Sequence, residues 1–126
     1  MKTLMIDSNV IIDLLRNRRK ALGRIQRFSQ YKLVVSHFSY IEVMAGAQSH
    51  RKADTEKFFR QYLVLSFNNK AQIESRSLAR RYHAGKPLDL LIAAHAKAEG
   101  VELLTNNVKD FAKYKGLKVL HYEIPT

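Results

Sequence analysis

Four acidic residues stand at positions where their carboxylates could act together: Asp7, Glu42, Asp89 and Asp110. Asp7 closes the apolar run Leu4-Met5-Ile6 and is followed by Ser8 and Asn9. Glu42 lies three residues beyond Ser39, Asp89 two beyond Pro87, and Asp110 just after Asn106 and Asn107. Each has a local explanation. Asp7 suits a helix N-cap, Ser39 with Glu42 has the form of a capping box, Asp89 in a first helical turn answers the helix dipole, and Asp110 can cap a short helix. Brought together, however, they would repel one another and titrate high unless a cation sat between them. A ligand set made only of oxygen suits Mg²⁺ or Mn²⁺, and such an ion can activate water against a phosphodiester.

The elements that would have to position these acids alternate between strand and helix. The apolar run ending at Ile6 reads as a buried strand, and Val10, Ile11, Leu14 and Leu15 fall at helical spacing. After the basic elbow Arg16-Asn17-Arg18-Arg19-Lys20, a helix is expected over 20–29, with Leu22, Ile25 and Phe28 spaced by three. A strand over 33–36 and a helix from Ser39 to about 46–49 come next, followed by a helix over 51–59 and a strand over 62–65. Asn69 is expected to cap a helix running to about His83, with Ile73, Leu78, Ala79 and Tyr82 on its buried side. Gly85-Lys86-Pro87 breaks that helix, and Pro87 suits the first turn of the next, over 88–99, which Gly100 ends. A strand over 102–105, a turn and short helix over 106–114 and a strand over 117–120 complete the chain. This alternation predicts one α/β domain over residues 1–126, a mostly parallel sheet flanked by helices. In such a sheet residues that follow strands collect at one edge, where ligands bind.

Charge names the class of partner. Lys and Arg number 22 against 11 Asp and Glu, a formal net charge of +11. A domain this basic implies a polyanion, nucleic acid before membrane surface, because the charge is spread over several segments. No run approaches a membrane span, and Asp7 interrupts the opening residues before a signal peptide's apolar core could form. With no cysteine, thiolate metal sites and disulfides are excluded, and a cytoplasmic chain is the simplest reading. An acidic metal pocket within a basic surface is what a metal-dependent nuclease requires.

The segments DSNVIIDLL (7–15), SHFSYIEVMAG (36–46), DLLIAAHA (89–96) and LLTNNVKDF (103–111) look like the four motifs of PIN-domain ribonucleases. The chain resembles in particular the small VapC-type toxins of prokaryotic toxin–antitoxin pairs, over nearly its whole length. The resemblance implies a PIN-like fold and an endoribonuclease using Mg²⁺ or Mn²⁺ that leaves a 5′-phosphate and a 3′-hydroxyl. Asp7, Glu42 and Asp89 fall on three family acids. The fourth falls on Asn107, where some members carry Asp, or on Asp110. Thr105 matches a hydroxyl that orients the acids, and Ser8 and Asn9 flank the first acid as usual. One departure is Gly85-Lys86-Pro87-Leu88-Asp89, where relatives place more residues before the acid. The resemblance also implies an RNA substrate, a homodimer, and an antitoxin whose C-terminal segment covers the acidic pocket.

Arg16, Arg19, Arg80, Arg81 and Lys86 are candidates for an RNA path flanking the pocket. His37, His83, His95 and His121 would serve a metal-independent ribonuclease, but their spacing marks no pair, and they are read as structural. Phe58, Phe59, Tyr62 and Phe67 are read as core or a dimer surface. The alternative function is a catalytically silent PIN-like RNA-binding module, which should lack one of the acids. A phosphoacceptor domain of receiver type fits the charge and the spread of acids poorly.

Overall fold

A computed structural model describes residues 1–83 and 85–123. Its centre is a five-stranded sheet, all parallel, in the spatial order β3-β2-β1-β4-β5. The strands are β1 (Thr3–Ile6), β2 (Lys32–Ser36), β3 (Leu63–Leu65), β4 (Glu102–Thr105) and β5 (Val119–His121). Between β1 and β2 run α1 (Ser8–Arg16) and α2 (Arg18–Ile25); between β2 and β3 run α3 (His37–Gly46) and α4 (Lys52–Phe59). Then α5 (Asn69–Arg81) and α6 (Pro87–Glu99) cross back to β4, and α7 (Val108–Ala112) leads to β5. Among the described residues no helix is long and apolar enough to cross a membrane.

Neighbouring strand residues feed opposite faces. Leu4 and Ile6 of β1, with Val35 and Leu104, pack against Val10, Ile11 and Leu14 of α1 and Val43 of α3. Met5, Val34 and Leu103 pack on the other face against Leu78 of α5 and Ile92, Ala93 and Ala96 of α6. Leu4, Met5 and Ile6 are all fully buried, so each contributes roughly 1.5–3 kcal/mol of transfer energy. Both faces covered by helices is why β1 reads as a continuous apolar run rather than an alternating one.

The caps differ from the sequence expectation in two places. Ser36, not Ser39, is the N-cap of α3; its Oγ accepts from Phe38 N at 3.2 Å. Ser36 also meets His95 Nδ1 at 2.7 Å, so tertiary contact selects the earlier serine. Ser39 is buried with no partner for its hydroxyl among the described residues, the capping box with Glu42 does not form, and Glu42 falls in the second turn rather than the first. Asn68, not Asn69, caps α5 by accepting from Ala71 N at 3.1 Å. The phase of α5 is set by Ala71 and Leu78, two turns apart against α6, and this leaves Ile73 64% exposed rather than buried. In the same way Ala21 and Phe28 are buried while Leu22 is exposed.

Asp13, which the spacing did not single out, joins three elements. It accepts from Arg24 Nη1 at 2.8 Å, Asn17 Nδ2 at 2.9 Å and the Tyr122 hydroxyl at 2.8 Å, tying α1 to α2 and to the segment after β5.

Candidate active site

The strand order reverses direction of travel at β1, so the crevice of the sheet opens between the carboxyl ends of β1 and β4. Asp7 follows β1 there and Thr105 ends β4. Ile6 pairs with Leu104, and Asp7 N continues the ladder by donating to Leu104 O at 2.9 Å.

Asp7 is buried, with extended backbone as the N-cap of α1, and its carboxylate is held from three sides. Ser8 N donates to Oδ1 at 2.8 Å, while Thr105 Oγ1 and Asn9 Nδ2 donate to Oδ2 at 2.8 and 3.1 Å. Thr105 in turn accepts from Asn9 Nδ2 at 3.2 Å and from Asn107 N at 3.0 Å. Asn9 closes the loop by accepting Asn106 N on its Oδ1 at 3.2 Å. Asn9 and Thr105 therefore clamp the β1–α1 turn to the β4–α7 turn. Asn107 enters this network through its backbone, as the N-cap residue of α7, with no side-chain cap bond.

Three donors do not settle the charge on Asp7. Burial raises its pKa to about 6 against the pull of Thr105 and Ser8, and the charges of Asp89 and Glu42 push the same way. Asp89, half-buried in the first turn of α6, is likewise raised, first by burial and then by Asp110 and Glu42, while Lys86 and Lys113 oppose the shift. Glu42 on α3 and Asp110 in the first turn of α7 are exposed. Asp7 thus lies within electrostatic reach of Asp89 and Glu42, and Asp89 of Glu42 and Asp110, the four acids being carried by the β1–α1 turn, α3, α6 and α7. Among the described residues no three His, Asp or Glu side chains converge into a ready-made ion cage. The donor chemistry fits a hard divalent cation nonetheless: the neighbouring carboxylate charges add to the raised pKa of Asp7 and of Asp89, and a cation is what would relieve that repulsion.

Beside Asp89 opens a cavity of about 170 Å³ lined by Gly85, Lys86, Asp89, Asp110, Lys113 and Tyr114. It brings Lys86, a candidate RNA contact, to the acids. Arg80 and Arg81 end α5 just before this segment and are exposed. Arg16 and Arg19 are exposed too, but Arg16 ends the 9 residues of α1, about 13 Å of helix from Asp7, and Arg19 lies beyond it in α2. Lys113 and Tyr114 were not anticipated. Tyr114 lies four residues from Asp110, a spacing that places two side chains together at a helix end, but an aromatic there reads first as core.

His95, on α6, is fully buried, and burial lowers its pKa. Of the aromatics, Phe59 is buried in the core, Phe58 and Tyr62 pack against it, and Phe67 meets Phe38 and His95 edge-on.

The PIN domain family profile matches residues 4–117. The chain belongs to the PIN-domain family. It is 26% identical to the tRNA(fMet)-specific endonuclease VapC of Shigella flexneri, covering 94% of this chain and 96% of that one. It is 30% identical to ribonuclease VapC1 of Haemophilus influenzae (strain R2866), over 90% of this chain and 93% of the relative. Among solved structures, a toxin–antitoxin complex from Klebsiella pneumoniae superposes with a TM-score of 0.79 at 28% identity, covering 96% of this chain and 98% of that chain. The parallel five-stranded sheet with helices on both faces is accordingly a PIN-domain architecture.

Proposed function

We propose that this PIN domain is a metal-dependent endoribonuclease and the toxin of a toxin–antitoxin pair. One observation carries the reading: a buried, incompletely compensated Asp7 at the β1–β4 crevice, with Asp89 and Glu42 in electrostatic reach and Asp110 beside Asp89, in a chain of net charge +11. The relatives named as ribonucleases, and the toxin–antitoxin assembly of the structural neighbour, support it.

Asp7 and Asp89, with Glu42 and Asp110, would hold Mg²⁺ or Mn²⁺. The bound ion supplies an activated water and stabilises charge developing on the scissile phosphate. The chain's own residues do the rest. Thr105, Asn9 and Ser8 N fix the Asp7 carboxylate, so that it presents the same oxygens without reorganisation. Lys86 and Lys113 stand beside Asp89 and meet the phosphates flanking the cut, with Arg80 and Arg81 extending that path. Arg16, at the far end of α1, and Arg19, in α2, meet RNA only where it wraps beyond the crevice. Asp110 rather than Asn107 serves as the fourth acid, since Asp110 shares the cavity wall with Asp89. The protein acts in the cytoplasm as a homodimer, and an antitoxin segment covers the pocket.

The test is incubation of the purified chain with a mixed RNA pool, alone and with its co-expressed antitoxin. Cleavage with Mn²⁺ that the antitoxin suppresses supports the proposal. Binding of RNA without cleavage at any metal concentration would make the silent RNA-binding module the better account.

A further inference from the structure

Among the described residues, Tyr114 is a buried donor with nothing to donate to. The residue is 1% exposed, and among the described residues its hydroxyl has no hydrogen-bond partner. Its ring is fixed. Tyr82 meets it edge-on with centroids 5.1 Å apart, and the Lys113 ammonium lies 5.3 Å from its centroid. Tyr82 is itself anchored, accepting Lys115 N on its hydroxyl at 3.0 Å. A buried hydroxyl without a partner is uncommon enough to require a reason.

The reason lies across the cavity. Tyr114 shares its wall with Asp89 and Asp110, and after burial the charges on these two acids are what most disfavour loss of its proton. Asp7 has three donors, but among the described residues Asp89 has none; only burial and neighbouring charges act on it. A donor lacking an acceptor among the described residues thus shares a cavity wall with a carboxylate lacking a donor. The hydroxyl is shielded from solvent, and on the cavity wall it shares the carboxylates are the half-buried Asp89 and the exposed Asp110.

We infer that Tyr114 is a positioning residue: its hydroxyl donates to the Asp89 carboxylate in the metal-loaded protein, as Thr105 donates to Asp7 in the structure described. The inference rests on the metal-site reading above. Hydrogen bonds of this kind fix which oxygen a ligating carboxylate offers, and their loss typically weakens metal binding about 10–100-fold.

The experiment compares wild type with Tyr114→Phe by Mn²⁺ titration calorimetry, by thermal unfolding in EDTA, and by ultraviolet difference spectroscopy. The chain has 6 Tyr and no Trp, so a perturbed tyrosine is visible. We expect the variant to unfold in EDTA at the wild-type temperature or higher, because it loses a hydroxyl that has no partner. Its Mn²⁺ affinity should fall at least about tenfold, and the Mn²⁺-induced tyrosine difference spectrum should disappear. Unchanged Mn²⁺ affinity would overturn the inference and leave the metal site standing. A lower unfolding temperature in EDTA with no selective loss of Mn²⁺ binding would overturn it too, making Tyr114 structural. Failure of wild type itself to bind Mn²⁺ would remove the metal-site reading, and this inference with it.

Discussion

Thr105 Oγ1 donates to Asp7 Oδ2 at 2.8 Å across the boundary between β4 and β1, two residues 98 apart in sequence. The same hydroxyl accepts from Asn9 Nδ2 and Asn107 N, so one oxygen serves three partners. Thr105→Val keeps the shape and removes all three bonds, leaving buried groups unpaired. We predict a stability loss of about 1–3 kcal/mol in denaturant titration. Where metal is saturating, RNA cleavage should fall about 10–100-fold.

The pKa of Asp7, raised from 3.8 to about 6, makes the metal-free fold sensitive to pH. Because the folded value lies above the unfolded one, the protonated carboxyl favours the folded state. That contribution is complete below pH 3.8, is lost as the pH rises to about 6, and stays lost above it. In EDTA, Asp7→Asn should therefore be the more stable protein by about 2–3 kcal/mol near neutral pH, and equal to wild type at about pH 4. Mn²⁺ should raise the unfolding temperature of wild type and leave that of the variant little changed. Equal stabilities across the range would contradict the burial of an ionised Asp7.

Asp110 and Asn107 compete for the fourth position, and the structure separates their surroundings. Asp110 faces the cavity with Asp89, whereas Asn107 is bonded through its backbone. Asp110→Asn should lower cleavage about tenfold or more by weakening the metal site. Asn107→Ala should change it less than threefold, because the Thr105 contact to its N–H survives. Initial rates on one RNA, measured side by side, decide between them.

Asp13 offers a structural contrast. Asp13→Ala leaves the buried Tyr122 hydroxyl with only a 3.5 Å approach to Ala21 O and strips Arg24 of its closest partner. We predict a loss of about 2 kcal/mol in unfolding, with kcat unchanged well below the melting temperature. A fall in kcat would tie this network to the chemistry.

How much was legible in the sequence depended on how local each signal was. The strand Glu102–Thr105 could be read to the residue, because Gly100 ends α6 at φ 67 and Leu103-Leu104 is buried on both faces. The caps of α3 and α5 slipped, since Ser36 and Ser39, or Asn68 and Asn69, are equivalent candidates until His95 or the phase of α5 chooses between them. Ile73 was misplaced for the same reason: helical spacing supplies a face, but packing on α6 supplies which one. The acids could be selected by their place after strands, but their gathering depends on β4 crossing back beside β1, which spacing does not encode. Tyr114 was hidden because an aromatic among apolar residues reads as core, and only an unpartnered hydroxyl in three dimensions marks it otherwise.

Whether these carboxylates cut RNA with the help of a divalent ion can be read from the ends of the products. Wild type and Asp7→Asn would be incubated with one structured RNA, in Mn²⁺ and in EDTA, and the termini mapped chemically. The account predicts 5′-phosphate and 3′-hydroxyl ends from wild type in Mn²⁺, and no cleavage in EDTA or by Asp7→Asn. Cyclic-phosphate ends that persist in EDTA and in Asp7→Asn would contradict it and move the chemistry to a histidine and the RNA 2′-hydroxyl.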